Sequence, residues 1–159
     1  MLVARVGSFG YNLLLLLHLV TVVVGFGGVA LNGVYNRKAM RAGSSSSAVS
    51  TANFEVSTLA EYAIYLVPVF GILVLLASGK TYQFSDGWVS ASFLLYLIGL
   101  GVYHGVVRPG HRKLNAALAS GRTDTAEVTG FNQRLAVGGA VLNLLLVVIL
   151  VLMVWKPGG

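Results

Sequence analysis

Charged residues are absent from four long stretches of the chain, and these stretches are rich in leucine and valine. All 11 basic and 5 acidic side chains lie outside them. The uncharged stretches contain 31, 18, 21 and 21 residues, and they lie between Arg5 and Arg37, Glu61 and Lys80, Asp86 and Arg108, and Arg134 and Lys156. A transmembrane helix needs about 20 consecutive apolar residues. The pattern therefore predicts four membrane-spanning helices, over residues 9–35, 58–78, 88–107 and 135–155.

These four segments indicate one all-α domain over residues 1–159, a four-transmembrane-helix bundle. Composition agrees, because 56% of the residues are hydrophobic and 10% are charged, whereas about a quarter are charged in a soluble domain. The absence of cysteine excludes disulfides, thiolate nucleophiles and iron–sulfur clusters. The net charge of +6 comes from side chains beside the apolar segments, which favours contact with a lipid bilayer over nucleic-acid binding.

Lysine and arginine are unevenly distributed between the two sides of the predicted bundle. Eight of the 11 fall in the loops 36–57 and 108–134, and the other three are divided among the two termini and the remaining loop. Short loops rich in these residues stay in the cytoplasm, so we expect both termini on the outer, periplasmic side. Trp88 and Trp155 then lie at the outer membrane–water interface, where tryptophan is enriched.

Three local features modify this outline. The serine-rich stretch 43–53 predicts a flexible cytoplasmic loop. In the other cytoplasmic loop, residues 111–120 are typical of a short interfacial helix, and Asp124 is typical of the N-cap of the next helix. Pro68 removes one backbone hydrogen bond inside span two and should kink it. The kink serves either helix packing or a hinge or cavity.

Glycine is frequent in the predicted helices, where it lets two backbones approach closely. We expect these glycines at helix–helix contacts, either inside the bundle or against a partner helix or a second copy. The helix-packing candidates are Gly25, Gly28, Gly101, Gly105, Gly138 and Gly139. Among them, Gly101 and Gly105 have the four-residue spacing of a close-contact seam.

A few polar side chains fall within the spans. A polar group in the membrane needs a hydrogen-bonding partner or marks a functional site. At about 1.5 Å of rise per residue, His18, Tyr96 and Asn143 lie roughly 13, 12 and 18 Å from the outer ends of their helices. These three residues could meet near the midplane. Glu61 and His104 lie about 25 Å in, and we expect them to form a separate polar pair at the inner face.

The depths of His18 and His104 differ by roughly 10 Å, which is too much for a haem held between them. A single ligand at His18 is compatible with haem b or copper, with Tyr96 or Asn143 orienting the second ring nitrogen. The alternatives are a neutral histidine bonded to Asn143 or to a backbone carbonyl, or a proton relay. The cofactor-binding candidates are thus His18, Tyr96 and Asn143, with His18 as the metal ligand.

The segment Tyr11–His18, followed by Gly25–Gly28, resembles the first helix of a bacterial family of predicted integral membrane proteins of unknown function. The closing segment Val154–Gly159 resembles the same family, and the composition is similar to that of actinobacterial proteins. These proteins are distantly similar to the copper-resistance-D proteins and the HemJ-type protoporphyrinogen oxidases, which share a first-helix histidine. The resemblance implies a multi-pass protein of the bacterial inner membrane in which His18 is functional.

The sequence departs from the HemJ type at two points. Gly25 stands where a tryptophan is usual, and no lysine lies within a predicted span, whereas the HemJ type is thought to need a lysine beside its haem. These departures argue against protoporphyrinogen oxidation. The chain also lacks a Ser/His/Asp arrangement, an H-E-x-x-H motif and a Walker loop, so no catalytic residue is predicted and the sequence leans away from an enzyme.

Three functional hypotheses follow. The first is a non-catalytic accessory or scaffold subunit that packs with other membrane subunits or as a homo-oligomer, because glycine-rich helix faces occur without a catalytic set. The second is a membrane protein that binds haem b or copper through His18 and takes part in redox chemistry. The third is a small transporter or channel, which rests on Pro68 and the polar residues near the midplane.

Overall fold

The computed structural model describes residues 5–41, 46–120 and 126–158, and these residues are helical apart from short turns. The helices are α1 (Phe9–Arg41), α2 (Ser46–Ala77), α3 (Gly87–Val102), α4 (Arg108–Ala119) and α5 (Ala126–Trp155), and a π-helical turn, Tyr103–Val107, joins α3 to α4. Four segments are long and apolar enough to cross a membrane: Phe9–Gly28, Thr58–Ala77, Gly87–Leu114 and Val128–Trp155. The predicted all-α fold with four spanning helices is therefore confirmed.

Several helices extend beyond the limits that the sequence indicated. Helix α2 begins at Ser46, so most of the serine-rich stretch that was predicted as a flexible loop is helical. Extending an existing helix costs little compared with starting one, and the apolar part of α2 supplies that start. Helix α4 begins at Arg108 and continues from the third span, three residues before the predicted interfacial helix. Asp124 lies outside the described residues.

Helix α1 packs along α2, and α5 packs against α3 and the π-helical turn. Two of the predicted glycines lie at these contacts. A Cβ placed on Gly25 would lie 2.9 Å from Ile64 Cγ1, and one placed on Gly138 would lie 3.0 Å from Val107 Cγ2. Gly28 is also buried. Glycine is needed at positions 25 and 138 because a methyl group there would force the neighbouring helical segments apart.

The other three predicted packing glycines lie elsewhere. A Cβ placed on Gly101, Gly105 or Gly139 would meet no atom within 4 Å in the described part of the chain. Gly101 and Gly105 are exposed, so their four-residue spacing forms no seam with another described helix of this chain. These three glycines therefore do not form the expected helix–helix contact within the described part of the bundle.

One stripe of α5 supplies much of the core. Val128, Leu135, Leu142 and Ile149 are buried at intervals of seven residues, which is the spacing of a seam that faces a neighbouring helix. Most of the other large side chains between Leu135 and Trp155 are hydrophobic and exposed on the outside of the bundle, as lipid contact requires. We call the end of the bundle where α1 begins and α5 ends the terminal end, and we call the opposite end the loop end.

Candidate functional site

A cavity of about 320 Å³ lies towards the terminal end of the bundle and is bounded by all four spanning segments. This volume falls within the range of small-molecule sites, roughly 300–1,000 Å³. Its walls are mainly leucine, valine and phenylalanine. The lining side chains that carry a polar group are Tyr11, His18, Tyr82, Trp88, Ser92, Tyr96 and Lys156. An apolar chamber with a few polar groups is the usual form of a ligand site.

His18 is a buried titratable group of this cavity. It is 7% exposed, and its Nδ1 lies 3.0 Å from the backbone carbonyl oxygen of Val67 on α2. A carbonyl oxygen only accepts, so Nδ1 must donate the hydrogen and the lone pair of a neutral ring lies on Nε2. Of the sequence alternatives for this histidine, the bond to a backbone carbonyl is the one observed.

Pro68 explains how Tyr96 is held at the bottom of the same cavity. Proline has no N–H, so the carbonyl of Ile64, four residues earlier in α2, has no helical donor. The Tyr96 hydroxyl of α3 donates to that carbonyl oxygen at 3.0 Å. The break in the α2 ladder is thus used to join α2 to α3, and Pro68 itself lines the cavity.

Asn143 does not join His18 and Tyr96, although the depth estimate placed the three side chains at similar levels. It is exposed on α5 and lies outside the cavity lining. Leu142 takes the buried position, and the next residue of an α-helix points about 100° away. The midplane trio predicted from depth alone is therefore not formed, and the transporter hypothesis loses that support.

A second polar cluster lies towards the loop end, around Glu61. The Tyr65 hydroxyl donates to Glu61 Oε1 at 3.0 Å and lies 2.8 Å from His104 Nε2. A hydroxyl has one hydrogen, so His104 must donate to Tyr65. Tyr103 donates to Glu61 Oε2 at 3.4 Å, and Arg108 Nη1 lies 3.5 Å from Oε1. The expected pair of Glu61 and His104 is thus linked through Tyr65 rather than by direct contact.

His18 and His104 lie in different parts of the bundle. This agrees with their difference in depth, which argued against a haem held between them. His18 lines the cavity, whereas His104 belongs to the Glu61 cluster. Within the described residues, no group of three or more histidine, cysteine, aspartate or glutamate side chains could hold a metal ion. A metal in the cavity would therefore depend on His18, with the thioether of Met153 as a further lining ligand type.

Sequence reasoning missed several polar residues of the cavity wall, among them Trp88, Ser92 and Lys156. Trp88 and Ser92 are four residues apart on α3 and so share one helix face. That spacing was a usable signal, because the pair places two hydrogen-bond donors together in an otherwise apolar span. Nothing in the sequence indicated that Lys156 lines a cavity, since a lysine directly after a span usually contacts water or lipid headgroups.

The chain matches a family model. The model of a family described as "Predicted integral membrane protein (DUF2269)" matches residues 12–157. No curated protein and no solved structure matches the chain.

Proposed function

The chain belongs to the DUF2269 family of predicted integral membrane proteins, and we propose that it is a haem-binding protein of the bacterial cell membrane. The cavity at the terminal end would hold the haem, and His18 would bind its iron. One observation supports this function above the others. The His18 ring is buried beside an apolar chamber with Nδ1 bonded to a carbonyl, so that its Nε2 lone pair is free for a metal.

The residues present fit haem better than copper. A metal-binding histidine usually donates its other N–H to a carbonyl or carboxylate, which fixes the ring and makes the ligand more basic. Haem would need one such histidine from the protein, because the porphyrin nitrogens already bind the iron. A copper ion would need several side-chain ligands, whereas the described lining residues include one histidine, His18, and one methionine, Met153.

The chain's own residues would bind, orient and shield the cofactor. The Val67 carbonyl fixes the tautomer and the plane of the His18 ring. Tyr96 is held by the Ile64 carbonyl, so its hydroxyl is already satisfied at the base of the chamber. The leucine and valine walls would keep water away from a bound haem, which influences its redox potential. Haem supplies one-electron redox chemistry when bound.

Absorption spectroscopy tests this function. The protein would be produced with haem supplied, purified in mild detergent, and measured oxidised and reduced. We expect a Soret band with stoichiometric haem in the wild type, and loss of this band in His18→Ala. His104→Ala is the matched control, because His104 lies in the other cluster. Absence of a Soret band from the wild type, or its persistence unchanged in His18→Ala, would refute the proposal.

A second candidate function is that of an accessory or scaffold subunit, and Asn143 favours it. This amide is exposed within the fourth span and makes no hydrogen bond to another described residue. Polar side chains within a membrane usually face a partner helix, and an amide both donates and accepts. Gly139 lies one turn away with free space above it, so another helix has room to approach.

Native mass spectrometry from mild detergent tests the subunit function. We expect the wild type to carry a second copy or another subunit, and Asn143→Leu to lose it. Leu144→Ala is the control, since Leu144 is exposed next to Asn143 but carries no polar group. A wild type that is monomeric and free of partners in every detergent would refute this function, and it would leave haem binding unaffected.

The proposed topology places both termini on the periplasmic side of the inner membrane. The natural absence of cysteine allows a direct test, because single introduced cysteines can be labelled with a membrane-impermeant reagent in intact spheroplasts. We expect Lys80→Cys to react and Arg112→Cys to react only after lysis. The reverse pattern would invert the proposed orientation.

A further inference from the structure

Two buried hydrogen-bond donors in the cavity wall have no partner among the residues that the structure describes. The indole Nε1 of Trp88 and the hydroxyl of Ser92 make no hydrogen bond within the described residues, and the two side chains are 9% and 3% exposed. Burying a donor without an acceptor costs free energy, so such groups are rare in proteins. Both residues line the cavity. A bound molecule that presents acceptor atoms would satisfy them.

A cation stands beside these donors at the terminal end of the cavity. Lys156 Nζ donates to the Tyr82 hydroxyl at 2.7 Å and lies 5.7 Å from the centre of the Trp88 indole. Lys156 has a positive φ of 45°, a backbone conformation that is uncommon outside glycine. The turn ends α5, and the ammonium group contacts the Tyr82 and Trp88 rings. Of the described residues that line the cavity, none is acidic.

These groups are arranged along the cavity in a defined order. Ser92 lies one helical turn beyond Trp88, roughly 6 Å along α3, and Lys156 lies at the end of α5. His18 lies two and a half turns into α1, deeper than Trp88 at the start of α3. The polar end of the cavity is therefore cationic and donor-rich, and the metal ligand lies further inside.

We propose that Trp88, Ser92 and Lys156 form a carboxylate subsite that binds the acidic side chains of the haem held by His18. This inference rests on the proposed haem function. Haem carries its two carboxylates on one edge of the ring, and carboxylates accept from N–H, O–H and ammonium donors. The subsite orients this edge towards the terminal end. A neutral ligand, by contrast, would leave the charge of Lys156 without an anionic partner among the described residues of the lining.

Equilibrium titration with haem b and with its dimethyl ester tests the subsite, with the Soret band as readout. We expect Trp88→Phe and Ser92→Ala each to weaken haem b binding about fivefold to tenfold, the effect of one hydrogen bond. Lys156→Gln should weaken it by a similar factor and lower its salt dependence. The dimethyl ester should bind more weakly to the wild type and respond little to Lys156→Gln. Trp155→Phe and Lys80→Gln, outside the lining, are matched controls.

Metal-free protoporphyrin, followed by its fluorescence, separates the two proposals because it cannot be ligated by His18. We expect it to bind better than its dimethyl ester and to be sensitive to Lys156→Gln but not to His18→Ala. If haem b binds through His18 but acid and ester bind equally well, the subsite is refuted and the haem function stands. If haem b shows no His18-dependent band but acid and ester porphyrins still differ, the haem function is refuted and the carboxylate subsite stands.

Discussion

Gly71 of α2 lies directly against the imidazole of His18. A Cβ placed on Gly71 would lie 3.2 Å from Cε1 of the ring and 3.5 Å from Nδ1. The first distance is shorter than an ordinary van der Waals contact, so the absence of a side chain at Gly71 allows the ring to reach the Val67 carbonyl at 3.0 Å. The position of the candidate metal ligand is thus set by the helix opposite.

Replacement of Gly71 should therefore disturb the ligand without removing it. In Gly71→Ala the new methyl group pushes the ring and lengthens the bond to Val67, and we expect haem affinity to fall about tenfold, or ~1.4 kcal/mol. Gly99→Ala is the control, because a Cβ there makes ordinary contacts at 3.7 and 3.8 Å. Haem titration measures both variants. Equal affinities for the two would show that Gly71 does not position His18.

Pro68 and Tyr96 should be energetically coupled through the Ile64 carbonyl. In the wild type, Tyr96→Phe leaves this carbonyl without a donor and should cost about 1–3 kcal/mol of unfolding free energy. In a Pro68→Ala background the restored N–H satisfies the carbonyl, so the same substitution should cost much less. Reversible unfolding in mixed micelles gives the four values of the cycle. An unchanged cost in the Pro68→Ala background would contradict the coupling.

Glu61 and Arg108 should contribute unequally to stability, although they form an ion pair at 3.5 Å. The Arg108 side chain is 52% exposed, so water and salt screen it and Arg108→Gln should cost less than about 1 kcal/mol. Glu61→Ala removes the acceptor of Tyr65 and Tyr103 as well, and we expect about 1–3 kcal/mol. Unfolding at low and high salt distinguishes them. Similar losses for both variants would contradict this account.

Gly138 and Gly139 should respond in opposite ways to the same added methyl group. In Gly138→Ala the Cβ would lie 3.0 Å from Val107 Cγ2 and 3.4 Å from Val106 Cγ1, and such overpacking typically costs about 1–3 kcal/mol. In Gly139→Ala it meets nothing within 4 Å, so stability of the isolated chain should be unchanged or slightly higher. Unfolding measurements on the two variants provide the comparison. Destabilisation by Gly139→Ala would instead reveal a helix packed on that face.

The spans were predictable because exclusion of charge from hydrocarbon is a property of each segment by itself. The long uncharged stretches became the four spanning helices, and Pro68 lies inside α2 as expected. His18 was identified as a polar group inside a span for the same reason. Helix limits were less predictable, since the serine-rich start of α2 continues a helix whose stability comes from its apolar part.

The rotation of each helix about its axis was not predictable from one sequence. It depends on how several helices pack together, and it decided that Leu142 is buried while Asn143 is exposed. The same rotation placed Gly138 at a contact and left Gly139 free. The position of a residue along its helix gives its level along the membrane normal. It does not give the direction in which the side chain points around the helix axis.

The sequence by itself determined the number of spans, their apolar character and the presence of a histidine within the first of them. The tertiary structure decided which atoms contact that histidine and which polar groups share its cavity. The Val67 carbonyl, Gly71 and the unpartnered donors of Trp88 and Ser92 come from two other helices. A hydrogen bond between two helices requires that both groups lie at the same level and point towards each other. Only the packed bundle determines both.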